Sequence, residues 1–102
     1  MAHKPVLYIV IPCYNEESVL PITSGMFRDK VRQLADAGKI SDESRILFVN
    51  DGSKDKTLQN LKELHRQSQQ NIRVVSFSRN FGKESAIYAG LQHCDGEYIS
   101  LI

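Results

Sequence analysis

The residues best placed to do chemistry lie in three short polar clusters, each following an apolar run. They are Pro12-Cys13-Tyr14-Asn15-Glu16-Glu17, Asn50-Asp51-Gly52-Ser53-Lys54-Asp55 and the stretch from Ser78 through Arg79-Asn80-Phe81-Gly82-Lys83 to Ser85. Asp51 is the sharpest feature. The run Ile46-Leu47-Phe48-Val49 stops at Asn50 and brings a carboxylate to the tip of what reads as a buried strand. A carboxylate there can accept hydrogen bonds from a base N–H or from ribose hydroxyls, while Gly52 lets the chain turn close to a ligand. Equally, Asp-Gly is a common turn pair, and Asp51 could cap the next helix or close an Asx-turn. Both readings stay open on the residues alone.

The neighbouring groups are weaker signals. Glu16 and Glu17 precede a helix, where negative charge suits the helix dipole. Tyr14 can stack on a base or simply cover the sheet edge. Asp55 reads better as a helix cap than as a ligand contact. Arg79 and Lys83 can meet phosphate or stand as solvated charges, and Gly82-Lys83 opens a helix whose start could hold a phosphate. GxGxxG and GxxxxGK[ST] are both absent, so neither a dinucleotide fingerprint nor a P-loop is present. His3, His65 and His93 have no paired nucleophile or ligand spacing, and no Ser-His-Asp set can be assembled. Cys13 and Cys94 are far apart with no CxxC, which predicts two reduced, largely buried thiols.

The elements that must position these clusters follow from hydrophobic patterning. "PVLYIVIP" and "RILFVN" are apolar on both faces, as central parallel strands are, and "IRVVSFS" predicts a third strand. Helices are predicted from Leu20-Pro21 to Gly38, with a stripe of Ile22, Phe27, Val31 and Leu34, and over 55–69, with Leu58, Leu61 and Leu64. Asp55 or Ser53 is placed to cap the latter. A third helix over 82–94 sets Ala86, Ile87, Gly90, Leu91 and Cys94 on one face, and the turn at 95–97 leads into a strand at 98–102.

Alternation of strand and helix predicts an α/β fold of Rossmann type, with four mostly parallel strands and helices on both faces. Ligands then bind beyond the carboxyl ends of the strands, where all three polar clusters fall. A chain of 102 residues, 41% hydrophobic and 25% charged, is one small globular domain, and its net charge of +1 argues against a general nucleic-acid binder. "MAHKP" lacks a signal-peptide core and "VLYIVI" is too short to span a bilayer, so a soluble, cytoplasmic chain is expected. The apolar close at Ile102, with no cap or polar tail, predicts a piece of a larger protein. Its open sheet edge would invite self-association.

"VIPCYNEE", "VNDGSKDKT", "RNFGKESAIYAGL" and "DGEYISLI" occur in the order found at the start of inverting family-two glycosyltransferases of the GT-A fold. The resemblance runs from Val6 to Ile102 and is strongest to polyprenyl-phosphate glycosyltransferases of the dolichol-phosphate mannose synthase and bacterial undecaprenyl-phosphate types. It implies that residues 1–102 are the N-terminal, nucleotide-sugar-binding portion of such a domain, incomplete at its C-terminus. Pro12, Tyr14, Asn15 and Glu16 would line the nucleoside pocket, with Asp51 on the base or ribose and Gly52 and Ser53 shaping the turn. Asn80, Gly82 and Lys83 would border the nucleotide, Lys83 nearest the diphosphate. Asn50 stands where many relatives carry a first Asp. The family's Asp-x-Asp motif, which holds Mg or Mn, would begin just after Ile102, so neither metal ligands nor catalytic residues are assigned in this chain.

By that resemblance the parent is an enzyme moving a hexose from a UDP- or GDP-sugar to polyprenyl phosphate at the cytoplasmic membrane face, and these residues alone are expected to be inactive. A saccharide or protein acceptor, or a non-enzymatic flavodoxin-like binding module, are the other readings.

Overall fold

Runs that are apolar on both faces need cover on both faces, and the chain supplies it. The computed structural model describes residues 4–69, 71–92 and 98–101, the last four as backbone path only. Strands β1 (Leu7–Cys13), β2 (Arg45–Asn50), β3 (Ile72–Ser76) and β4 (Tyr98–Leu101) form one sheet in the order β3-β2-β1-β4. Every pairing is parallel. Helices α1 (Leu20–Asp36), α2 (Thr57–Gln67) and α3 (Lys83–Gln92) make the crossovers.

The period of two along the central strands divides the core. Ile9, Ile11 and Cys13 of β1 join Ile46 and Phe48 of β2 against Leu20 and Val31 of α1 and Leu61 of α2. The alternate residues Val10, Leu47 and Val49 meet Ala86 of α3 on the other face. The predicted layering, helices on both faces of a parallel sheet, is therefore what forms. α1 and α2 serve the outward progression from β1 to β3. α3 carries the chain back to the far side of β1, and that reversal puts it on the opposite face.

Several local expectations shift. Ile22 is 68% exposed, so the inward face of α1 runs through Leu20, Ser24, Phe27, Val31 and Leu34 instead. Those positions are spaced by three and four, and Ser24 fits the stripe because its hydroxyl reaches back to the Pro21 carbonyl at 3.4 Å. Leu91 is 38% exposed, and α3 faces the sheet through the small residues Ala86 and Gly90. β3 ends at Ser76, two residues early, because the chain turns there into the third polar loop. The expectations for His3, His93, Cys94, the turn at 95–97 and Ile102 lie outside the described residues.

Gly90 is where α3 comes closest to the strands. A Cβ there would stand 2.5 Å from Val10 Cγ1 and 3.2 Å from Val49 Cγ2, both inside the core. Gly25, in the middle of α1, has nothing within 4 Å of a built Cβ. The same substitution should therefore have opposite signs at the two sites. Gly25→Ala is expected to stabilise by about 0.5–1 kcal/mol through helix propensity. Gly90→Ala is expected to destabilise by about 1–3 kcal/mol through overpacking. Urea unfolding midpoints of the two variants check this, and a rise in both would refute the close packing of α3.

Candidate functional site

Parallel register brings the three polar loops to one edge. Cys13, Asn50 and Ser76 are level across β1, β2 and β3. The ladder runs one step further, with Asp51 N–H donating to the Cys13 carbonyl at 2.8 Å and Phe77 N–H to the Asn50 carbonyl at 2.9 Å. The chain leaves β1 towards β2 on one side and returns to β4 on the other, so the tip of β1 is the switch point where open α/β sheets form their crevice.

The middle loop, residues 51–56, holds the other two. Towards the third loop, the Asp51 carboxylate is 3% exposed as a residue and accepts three hydrogen bonds. Phe81 N–H donates to Oδ1 at 2.8 Å, and Gly82 N–H and Asn80 Nδ2 donate to Oδ2 at 3.0 and 3.1 Å. Hydrogen bonds to a charged group are worth roughly 1.5–3 kcal/mol each, so this clamp fixes the third loop. Gly52, at φ +67°, sits against it: a Cβ would fall 2.0 Å from the Arg79 carbonyl carbon and 2.3 Å from the Asn80 nitrogen. Backbone meets backbone there, and only glycine leaves the space.

Towards the first loop the ties are reciprocal. Asn15 N–H donates to Ser53 Oγ at 3.0 Å, and Lys54 N–H donates to Asn15 Oδ1 at 2.7 Å. Asn15 takes a left-handed φ of 51°, a conformation that asparagine tolerates better than most residues. Glu16 N–H donates to Thr57 Oγ1 at 2.9 Å and Glu17 N–H to Asp55 Oδ2 at 3.2 Å. Asp55 Oδ1 also accepts the Thr57 N–H at 2.9 Å and the Thr57 hydroxyl. Asp55 thus closes an Asx-turn on Thr57 and ties the first loop. The N-cap position of α2 is Lys56 and carries no side-chain cap, so, contrary to expectation, neither Asp55 nor Ser53 caps the helix. Asn50, buried at 2% exposure, donates to Ser76 Oγ at 3.0 Å and accepts from Ser53 N–H at 3.3 Å.

Between the loops opens a cavity of about 590 Å³, a size suited to a nucleotide-sized ligand. Of the residues expected at a site, Pro12, Tyr14, Glu16, Asp51, Asn80, Gly82 and Lys83 line it together. Asn15, Gly52 and Ser53 do not; they lock the loops that form its walls. The sequence reading missed Ile11, Cys13, Thr23 and Phe27, which form the wall on the α1 side. The signal for them was periodicity: Ile11 and Cys13 share a strand face, Thr23 and Phe27 a helix face.

A family model described as glycosyl transferase family 2 matches residues 8–102. The chain belongs to that family. It is 39% identical over 94 residues to the uncharacterized glycosyltransferase YkcC of Bacillus subtilis, covering 92% of this chain and 27% of that protein. Against the prophage bactoprenol glucosyl transferase homolog of Escherichia coli it is 42% identical over 91 residues, covering 89% of this chain and 28% of the relative. The bactoprenol glucosyl transferase of Shigella phage SfV is 38% identical over 91 residues, with 89% and 27% covered. The chain thus spans about a quarter of these relatives' length. Two solved structures share the fold at a TM-score of 0.67: the Pyrobaculum calidifontis mannosyltransferase PcManGT in complex with GDP-Man and Mn2+, at 19% identity over 96% of this chain and 27% of that one, and Staphylococcus aureus TarS 1-349 in complex with UDP-GlcNAc, at 22% identity over 95% and 26%.

Within this family-2 site the charges are unevenly satisfied. Burial, with a smaller push from the Glu16 charge, raises the Cys13 thiol to about 12, so it stays protonated and inert. Glu16 is raised above the usual carboxylate range, first by burial and then by the nearby Asp55 charge. Asp55 is lowered, chiefly by the Thr57 hydroxyl, helped by the backbone N–H groups of Thr57 and Glu17. At the third loop, the Arg79 guanidinium lies 5.0 Å above the Phe81 ring, and Phe81 meets Phe77 edge-on with ring centres 5.4 Å apart. Lys83 is exposed at the first turn of α3.

The Glu16 shift has a stability consequence. A carboxyl whose folded pKa lies above its unfolded value is costly to ionise in the native state, so ionised Glu16 destabilises at neutral pH and ceases to do so once both states are protonated. Glu16→Gln should therefore raise the thermal midpoint at pH about 7 and leave it unchanged at pH about 3, below the ordinary carboxylate range. Melting curves at the two pH values test this; a stabilisation that persists in acid would show a cause other than charge.

Proposed function

We propose that this chain is the nucleotide-binding part of an enzyme that moves a hexose, with inversion, from a UDP- or GDP-sugar to a polyprenyl phosphate such as undecaprenyl phosphate. The observation that carries the reading is the convergence of residues from three loops on one cavity at the carboxyl end of β1. The lipid acceptor is supported by relatives whose names are bactoprenol glucosyl transferase, and the nucleotide sugar by fold neighbours in complex with GDP-Man and UDP-GlcNAc.

The groups divide by chemistry. Tyr14, 42% exposed at the cavity, offers a ring face for a base, and Pro12 the apolar floor beside it. Glu16, whose side chain accepts no hydrogen bond among the described residues, is an acceptor for a base N–H or a ribose hydroxyl. Lys83 and the turn at Asn80-Gly82 face the diphosphate end, at the start of α3, where the helix dipole favours negative charge. A lipid phosphate is already anionic at neutral pH, so its attack on the anomeric carbon depends on alignment and charge stabilisation more than on a strong base.

No group of three His, Cys, Asp or Glu that could hold a metal ion occurs among the described residues. The Mg or Mn that the family resemblance implies would be held by an Asp-x-Asp motif beyond Ile102. Leu101 of β4 is level with Val10, three residues short of the Cys13 tip of β1. Among the described residues no helix is long and apolar enough to cross a membrane. Action at the cytoplasmic membrane face would rest on parts of the parent outside them.

Titration of the 15N-labelled protein with uridine and guanosine diphosphates tests the site. Shifts should concentrate at residues 12–16, 51 and 80–83. Tyr14→Ala should weaken binding of the preferred nucleotide about tenfold, the lower range of base–aromatic stacking. Shifts scattered away from these residues, or unaltered affinity in Tyr14→Ala, would rule this site out.

A further inference from the structure

We infer that Thr57 is a positioning residue for the nucleoside end of the site, which acts through the first loop and sets where Tyr14 and Glu16 stand. The inference rests on the nucleotide reading above and deepens it. Thr57 is fully buried at the first residue of α2 and does not line the cavity, so any effect it has on a ligand is transmitted. Its hydroxyl has one proton to donate and lone pairs with which to accept. An ionised carboxylate only accepts, so the proton goes to Asp55 Oδ1 and the oxygen is left to receive the Glu16 N–H at 2.9 Å. Asp55 thus fixes the direction of this hydroxyl.

Glu16 is the residue through which the bond is felt. Its N–H is held by Thr57, and its carbonyl accepts from Val19 N–H at 3.1 Å and Leu20 N–H at 3.0 Å as α1 begins. Both sides of its backbone are therefore pinned, and its side chain is among those that line the cavity. The amides on either side are tied to the same segment, Asn15 N–H to Ser53 Oγ and Glu17 N–H to Asp55 Oδ2. Ser53 and Asp55 are partly exposed, whereas Thr57 is buried, and a buried acceptor is the one that water replaces least readily. The loop needs the support: Asn15, beside Tyr14, has a left-handed φ of 51°, a conformation that persists where the surroundings over-determine it.

Amide hydrogen exchange reads the bond, and nucleotide affinity reads its consequence. In Thr57→Val, which keeps the shape and removes the hydroxyl, exchange at the Glu16 amide should quicken about tenfold or more, with exchange at Phe81 and Gly82 in the third loop unchanged. Affinity for the preferred of uridine and guanosine diphosphates should fall about tenfold. Thr57→Ser, which restores the hydroxyl, should bring it back to within about threefold. In a Tyr14→Ala background the effect of Thr57→Val should shrink, because both changes act on one contact. Asp55→Asn, which puts an amide group where a carboxylate oxygen accepted from Thr57 or Glu17, should move exchange and affinity the same way, and it serves if Thr57→Val fails to fold. Quickened exchange in the third loop as well as the first would show loss of fold and not of position. That result, unaltered affinity in Thr57→Val, no recovery in Thr57→Ser, or full additivity with Tyr14→Ala would each overturn the inference. If the unaltered protein binds neither diphosphate, the nucleotide reading falls and this inference with it. If it binds one of them and Thr57→Val binds it equally well, this inference alone falls.

Discussion

The buried carboxylate of Asp51 is the constraint on which the geometry of this edge depends. Three loops leave a parallel sheet at the same level, and nothing in a parallel sheet fixes what loops do once the ladder has ended. Asp51 extends the ladder by donating to Cys13, and its side chain then gathers the third loop through three N–H groups. Immediately after it, Ser53, Lys54, Asp55 and Thr57 gather the first loop through bonds to Asn15, Glu16 and Glu17. The middle loop is thus a staple between its neighbours. A cavity bounded by loops tied in this way keeps its shape before a ligand arrives, which lowers the ordering cost of binding.

The topology explains why the staple sits where it does. With β1 and β2 in the centre, the loop after β2 is flanked by the loops after β1 and β3 and can touch both. On the other side of β1 the described part of β4 is level with Leu7–Val10, and Ile11, Pro12 and Cys13 further along β1 line the cavity. Close packing underneath keeps the level. Val10, Leu47 and Val49 press against Ala86 and Gly90 on one face, while Phe48, Ile46 and Ile11 press against α1 and α2 on the other. A one-residue slip of any of these strands would carry its loop out of level with the others and turn that strand's core residues over.

Much of this was legible in the sequence because it rests on local pattern. Two-faced apolar runs located β1 and β2, and leucines spaced by three located α2. Polar clusters after each strand identified the edge, and seven of the ten expected site residues do line one cavity. What escaped were facts settled between distant residues. Asp51 and its amide partners are about thirty positions apart, and no local rule joins them. Ser53 is a residue type that caps helices, yet it lies before the Lys56 N-cap position of α2 and accepts the Asn15 N–H from the neighbouring loop instead. Thr23 and Phe27 reach the cavity from a helix whose pattern signals only packing against the sheet. Ile22 was placed inward because a loose stripe leaves a helix free to roll by one residue, and Ser24 fills that place instead.

The two carboxylates at the cavity show how environment separates structural from ligand-facing roles. Asp51 is buried and accepts three hydrogen bonds, so it contributes order. Glu16 is partly buried, receives no side-chain hydrogen bond among the described residues, and is pushed up by desolvation and by Asp55. Ionised, it is held at a cost that a donor from a ligand would relieve. Binding free energy is gained where the free protein leaves a polar group underserved, and nearly nothing is gained where the fold has already served it. Asp51, the residue with the sharpest sequence signature, shapes the site through the third loop. In the proposed nucleotide site the less conspicuous Glu16, on the first loop, offers a further acceptor to a nucleoside hydroxyl or base N–H.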